Sequence, residues 1–233
     1  MGKLLVKPRD IVVPGEIIAE GLDYVPSTGT FREENKVISS LLGMINIDGR
    51  VLKVIPLSGR YLPRVGDVII GKIIDVMISG WRVDTNSAYS AVLSLKEGTT
   101  SFVQRGSDLT KYYDIGDYIV AKIINVTSQK LVDLTMKGPG LKKLKGGTII
   151  KVNHTKVPRI IGKNGSMINL IKELTNCKII VGQNGIVWIQ GQPEEEVIVI
   201  NAIRRIEKEA HLPGLTEKIK EFIEKSHKKI KAK

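Results

Sequence analysis

The chain is poor in the residues that most enzymes and many metalloproteins depend on. It has one cysteine, Cys177, and three histidines, His154, His211 and His227. A lone cysteine excludes an intrachain disulfide and any multi-cysteine zinc site, and it fits a small buried thiol in a reducing cytosol. No HExxH, nucleophile elbow, P-loop or cluster of metal-type carboxylates is present, and the Gly162–Gly165 segment lacks the longer loop and Lys-Ser/Thr ending of a Walker motif. Asp48, Asp67, Asp75, Asp114 and Asp117 lie beside glycines or inside apolar strand-like runs, where turn and barrel-corner roles account for them. Catalysis by this chain is therefore not expected, and no metal or cofactor is called for. Long hydrophobic runs are missing as well. Nothing approaches the ~18 apolar residues of a membrane span, and the start, Met1 to Pro8, lacks a signal-peptide core. No membrane partner is expected.

What the chain does have is positive charge. Its formal charge is +12 and its pI about 9.7, which points to a polyanionic partner. The excess is uneven. Residues 1–65 hold 9 basic against 7 acidic side chains, residues 66–137 hold 8 of each, and residues 138–233 hold 19 against 9. Attraction for a polyanion should be strongest over the last stretch. A hydrophobic fraction of 42% allows packed cores, and 233 residues allow two or three small domains.

Residues 1–64 read as short strands broken by turns, at Val12–Glu16, Ser27–Phe31 and Asp48-Gly49-Arg50, the Asp-Gly pair between apolar runs signalling a hairpin. The next domain is expected over 65–137. Gly66–Val76 echoes Gly116–Val126 with seven of eleven positions identical. Two copies make no solenoid, so they are read as strands in equivalent places of one small barrel. With further strands at Trp81–Thr85, Tyr89–Leu95 and Lys130–Met136, an OB-fold barrel is expected. Residues 138–147 form a basic Gly/Lys linker. Over 148–212 the order β-α-α-β-β-α is that of a type I KH domain: Met167, Leu170, Ile171 and Leu174 have helical spacing, Asn184-Gly185 marks a hairpin, and Pro193 with Glu194–Glu196 opens a long helix. A basic amphipathic helix closes the chain over 213–233, either docked by one face or reaching a partner or RNA. The expected fold class is thus multidomain, mainly β plus α/β.

The sharpest motif is Ile160-Ile161-Gly162-Lys163-Asn164-Gly165 ahead of a helix. Two residues without Cβ let backbone approach a phosphate, the helix N-terminus offers free amides, and Lys163 adds charge. KH domains clamp about four nucleotides of single strand with such a loop. Its glycines could equally serve only a tight helix–helix turn. Lys156 and Arg159 flank it and would add phosphate contacts; each could equally be a solvated surface charge. On the barrel, Trp81, Arg82 and Tyr89 are candidates for stacking on bases or pairing with phosphate, and Arg105, Lys111 and Lys122 for a positive face; Trp81 could instead be core. The Gly66-Asp-x-x-x-Gly71 opening, Gly80–Val83 and Gly116-Asp117 resemble the RNA-binding OB domain repeated in the largest small-subunit ribosomal protein.

Three segments carry a resemblance over essentially the whole chain: Val12-Val13-Pro14-Gly15-Glu16, Gly29-Thr30-Phe31 and the run Pro56 to Gly71. Together with the OB and KH patterns they resemble the KH-containing, RNA-binding cap subunits of the exosome, of the archaeal type. The resemblance implies a cytoplasmic, non-catalytic subunit that binds single-stranded RNA. Three copies would sit on a six-membered ring of RNase PH-like subunits that degrades RNA from its 3′ end with phosphate or adds tails in reverse. The N-terminal domain would grip the ring, the barrels would line the pore, and the KH domains would lie further out. A transcription-elongation factor or a ribosome-associated RNA-binding protein is the alternative.

Overall fold

A computed structural model describes residues 2–99, 107–210 and 214–231, and the chain divides into two compact units, one ending at Gly59 and one beginning at Arg60. The first unit is all β. Its strands are β1 (Lys3–Leu4), β2 (Ile11–Val12), β3 (Ile17–Glu20), β4 (Val25–Pro26), β5 (Thr30–Glu33), β6 (Lys36–Ser39), β7 (Gly43–Asp48) and β8 (Val51–Pro56). They form two four-stranded sheets, β1-β3-β6-β5 and β2-β7-β8-β4. Strand alternation builds the core between them: Ile45, Leu52 and Val54 point inward with Val12, Ile18 and Val37, while Val51 and Ile55 stay exposed. The Asp48-Gly49 hairpin is present, Asp48 pairing with Val51 and Gly49 taking φ +58°.

The second unit opens with β9 (Val68–Met77), β10 (Gly80–Asp84), β11 (Ser90–Ser94), the short α1 (Leu95–Gly98), β12 (Tyr118–Val126) and β13 (Val132–Thr135). Each strand pairs with the next in the circle β9-β10-β11-β13-β12 and back to β9, with only β11–β13 parallel. This is the closed five-stranded OB barrel. Its core holds Ile69, Ile73, Trp81, Val83, Leu93, Ile119, Ile123 and Leu134.

The echoed segments turn out to be direct neighbours related by a local two-fold. Ile70 lies opposite Val120, the same position in each copy. The Gly66 N–H donates to the Ile123 carbonyl (2.8 Å) and the Gly116 N–H to that of Ile73 (2.9 Å). In return, Ile123 N–H donates to Asp67 O (2.9 Å) and Ile73 N–H to Asp117 O (2.8 Å). Each Gly-Asp corner is therefore closed by the far part of the other strand.

Two expected boundaries move. Tyr61 is 5% exposed, belongs to the barrel core and donates its hydroxyl to Asp67, so the barrel begins before residue 65. The supposed linker 138–147 contains a strand, β14 (Lys142–Leu144), paired with Tyr118–Val120 of β12. Strand β13 covers only Lys122–Val126 of β12, so β14 satisfies backbone groups that would otherwise lie open, and its own Leu144 is buried.

The chain continues with β15 (Thr148–Lys151), α2 (Val157–Ile161), α3 (Ser166–Thr175), β16 (Lys178–Val181), β17 (Ile186–Gln190) and α4 (Pro193–Glu209). The antiparallel order β15-β17-β16 and the succession βααββα are those of a type I KH domain. Over its described side chains, the last helix, α5 (Leu215–Lys231), turns its apolar face to the KH domain rather than to a partner or to RNA. Leu215, Ile219 and Ile223 are buried in the KH core, and Arg205 of α4 lies 5.5 Å from the Phe222 ring. Covering that stripe is worth about 1.5–3 kcal/mol per buried side chain, which makes docking the stable outcome. Cys177 is buried and its thiol is pushed up by that burial.

Candidate nucleic-acid interface

Residues Gly162–Gly165 form a tight connection between α2 and α3. Gly162 takes φ +76°, and a Cβ there would lie 2.7 Å from the Met167 amide nitrogen and 2.9 Å from its Cβ, so only glycine fits. Asn164 occupies the left-handed region at φ +53°, a conformation asparagine tolerates. Lys163 and Asn164 are exposed while both glycines are half-buried. Helix α3 starts immediately afterwards with Gly165 at its N-cap, no side-chain cap and no acidic residue in its first turn. Helix α4, by contrast, carries Glu194, Glu195 and Glu196 in its first turn. The positive end of α3 is thus left to an anion, with Lys163 beside it and exposed Arg159 one turn back on α2. Lys156 is half-buried at the start of α2.

A cleft of about 420 Å³ adjoins this loop. The KH domain contributes Ile161, Ile168, Lys172 and residues 179–181 of β16 to its lining. Lys172 was not among the candidates, although its place four residues after buried Ile168 puts the two on one helix face.

The barrel candidates disperse. Trp81 is 0% exposed: its indole N–H donates to the Tyr113 carbonyl (2.9 Å) and its ring meets that of Tyr113 edge-on at 4.9 Å. The expectation that it stacks on bases is corrected, because alternation along β10 turns Trp81 and Val83 inward and Arg82 outward. Arg82 and Tyr89 are exposed, as are Lys111, in a turn before β12, and Lys122. Arg82 registers with Asp75 and Lys122 with Val68, at opposite ends of β9, so these two cations do not share a patch. Lys122 instead shares the outer face with Val120 and pairs with Val68, two residues that line the cleft. Arg105 lies outside the described residues.

Barrel and KH domain are joined through an apolar cluster of Ile70, Val120 and Leu144 with Ile186 and Trp188. The hairpin loop after β16 completes the joint. Gln183 N–H donates to the Val68 carbonyl (2.9 Å), and its side-chain oxygen accepts from Val68 N–H (2.6 Å). Asn184, fully buried, uses its amide on Ile70 and Thr85, and its own carbonyl accepts from Asn86 Nδ2 (3.1 Å). Asn184-Gly185 had been legible as a turn; its role as a fastener between domains had not. Among the described residues, no group of three or more His, Cys, Asp or Glu is placed to hold a metal, and no helix is long and apolar enough to cross a membrane.

An OB barrel fused to a type I KH domain with a complete Gly-x-x-Gly loop, behind a small β domain, defines a multidomain RNA-binding protein. Residues 9–58 match the model of the exosome RNA-binding protein RRP4 N-terminal domain, 60–107 that of the RRP4 S1 domain, and 147–208 that of the KH domain. The exosome complex component Rrp4 of Methanothermus fervidus is 46% identical over 224 residues, covering 96% of this chain and 99% of that protein. That of Thermococcus kodakarensis is 45% identical over 227 residues, covering 96% and 88%. The crystal structure of a candidate exosome complex RNA-binding protein superposes with a TM-score of 0.67 at 37% identity, covering 73% of this chain and 98% of that one. The chain belongs to the Rrp4 family of exosome subunits.

Proposed function

We propose that the chain is a non-catalytic cap subunit of a cytoplasmic exosome. It captures single-stranded RNA and feeds the 3′ end into a phosphorolytic ring of RNase PH-like subunits for 3′-to-5′ degradation or tailing, with three copies on each ring. The observation that carries the reading is the exposed Lys163-Asn164 pair at the uncapped, acid-free start of α3, on a KH domain fastened to an OB barrel. Such a loop suits phosphate contacts that position a strand without reading its sequence. The basic residues 138–233 would collect RNA at long range, and the charge-balanced barrel would let it pass rather than hold it. Arg82, Tyr89, Lys111 and Lys122 are the exposed barrel residues offered to the strand.

Reconstitution tests this. The chain mixed with RNase PH-like ring subunits is expected to form a stable complex that accelerates phosphate-dependent decay of poly(A), while the chain alone leaves the RNA intact. Lys163→Glu combined with Arg159→Glu should weaken capture by the assembled complex. A chain that binds RNA but neither joins the ring nor changes decay sinks the exosome-cap reading; unchanged RNA affinity in the double variant sinks the role of the loop.

A further inference from the structure

An asparagine followed by glycine is exposed to attack by its own backbone, because no Cβ shields the next amide nitrogen from the side-chain carbonyl carbon. The chain holds two such pairs, Asn164-Gly165 before α3 and Asn184-Gly185 in the β16–β17 hairpin. Their surroundings are opposite. Asn184 is fully buried and its side chain is held by Ile70 and Thr85. A Cβ on Gly185 would lie 2.4 Å from the Val152 carbonyl oxygen, so the main chain there has no room to swing.

Asn164 is exposed, and among the described residues its side chain has no hydrogen-bond partner. Its backbone stands at φ +53° and ψ +29°, in a loop whose two glycines also have positive φ. The Gly165 N–H, which must become the nucleophile, donates to the Gly162 carbonyl across 3.2 Å, the long end of the usual range. Attack requires ψ of Asn164 to rotate and that bond to open. Space is available, since even a Cβ on Gly165 would meet nothing closer than 3.4 Å.

Electrostatics act in the same direction. The reacting nitrogen is deprotonated, and the Asn164 side-chain oxygen becomes an oxyanion as the bond forms. Both charges develop at the N-cap of α3, beside Lys163 and with no acidic residue in the first turn. The field that suits a phosphate also suits this transition state.

We propose that Asn164-Gly165 is a self-modification site, at which deamidation slowly converts the RNA loop to an acidic, weakly binding form and bound RNA holds the conversion back. The Gly165 nitrogen gives its proton to water and bonds to Asn164 Cγ. The Cγ–Nδ2 bond breaks, and Nδ2 leaves as ammonia. Water then opens the cyclic imide, at Cγ to give aspartate or at the main-chain carbonyl to give isoaspartate. No electrons change hands. Either product puts a carboxylate where a phosphate would sit, and isoaspartate also lengthens the main chain of the turn. The effect on binding rests on the reading of the loop as an RNA clamp; the conversion itself does not.

The test incubates the full chain at neutral and mildly alkaline pH, with and without a short poly(A) RNA. Peptide mapping by mass spectrometry follows residues 164 and 184, and enzymatic methylation counts isoaspartyl groups. The expected result is conversion at 164, faster at the higher pH and slowed by RNA, with Asn184 intact in the same molecules. The converted protein should bind RNA roughly three- to tenfold more weakly, and Asn164→Asp should shift affinity the same way. Equal melting temperatures check that both are folded. An Asn164 that stays intact while a free peptide of residues 160–169 converts overturns the proposal. So does equal conversion at 164 and 184, which reports unfolding, or conversion that RNA does not slow. Conversion without loss of affinity overturns it as well, and Lys163→Glu then separates the causes. Weaker binding by that variant leaves the loop standing as a clamp, and unchanged binding removes the clamp too.

Discussion

The side chain of Asn184 pairs with the backbone of Ile70 as a neighbouring strand would. Its Nδ2 donates to the Ile70 carbonyl at 2.8 Å, and its Oδ1 accepts from the Ile70 N–H at 3.3 Å. The same Nδ2 donates to the Thr85 carbonyl at 2.9 Å. Two carbonyls and one amide of the barrel are thereby satisfied by one residue of the KH hairpin, in a place closed to water. A Cβ on Gly182 would lie 2.4 Å from Asn184 Oδ1 and 2.8 Å from Ile70 N, so the bare glycine keeps the approach open.

Asn184→Ala should therefore destabilise the second unit by about 2–4 kcal/mol, because buried polar groups lose their partners and gain none. Urea unfolding followed by tryptophan fluorescence reports on both sides of the joint, through Trp81 and Trp188. The expected result is a lower midpoint with the two signals no longer coincident. A single coincident transition at the wild-type midpoint would show that the apolar cluster alone holds the domains together.

The two aromatic candidates on the barrel should separate cleanly. Trp81→Ala removes the largest fully buried side chain and is expected to cost about 3–5 kcal/mol of stability. It should leave the RNA affinity of the folded protein unchanged. Tyr89→Ala, at a residue 37% exposed, should leave the melting temperature unchanged and weaken RNA binding by up to about 1–3 kcal/mol through lost stacking. Thermal melts and RNA titrations on the two variants provide the comparison.

Within the loop, the two glycines should not be equivalent. Gly162→Ala drives a Cβ into the Met167 backbone, whereas a Cβ on Gly165 makes ordinary contacts with two side chains, Asn169 at 3.4 Å and Ile168 at 3.9 Å. Gly165→Ala carries just the strain of φ +80°, about 1 kcal/mol. Gly162→Ala should cost more and displace the start of α3, reducing RNA affinity further than Gly165→Ala does. Chemical denaturation paired with RNA titration distinguishes the two.

His154 gives the second unit a pH dependence. It meets the Tyr61 ring edge-on at 5.9 Å, and burial, with the Arg64 guanidinium nearby, holds its pKa below the usual 6.5. The unfolded chain takes up a proton near 6.5 where the folded chain resists it. Its contribution is thus present above that value and lost as the pH falls through the lower folded one. The urea midpoint should drop between about pH 7.5 and about pH 5. His154→Asn should flatten that slope, and an unaltered slope would assign it to other groups.

Much of this architecture was legible in the sequence because local chemistry and tertiary structure agree there. The strand repeat, the Gly-x-x-Gly loop and the Pro193-Glu-Glu-Glu helix start each sit where turn chemistry and hydrophobic period placed them. What escaped depends on contacts between distant residues. Trp81 reads alike as a stacking platform or a core residue until the face of β10 that turns inward is known. Residues 142–144 look like a polar linker because Lys-Lys-Leu shows little alternation; they become a strand only because β12 has an uncovered edge. The apolar stripe of α5 was plain, but its destination was not, since any apolar surface would accept it. Asn184 carries the same letters whether it makes a turn or fastens two domains.

The mutual bracing of β9 and β12 also bears on how the barrel forms. Each Gly-Asp corner takes its hydrogen bonds from a strand some fifty residues away, so neither bend is secure until both strands have met. Closing a loop of that length must be paid in chain entropy before any of those bonds can repay it. The barrel should accordingly be the slow step of folding, while the shorter-range KH hairpin β16–β17 can pair early and wait, its asparagine ready for a strand that has not yet arrived.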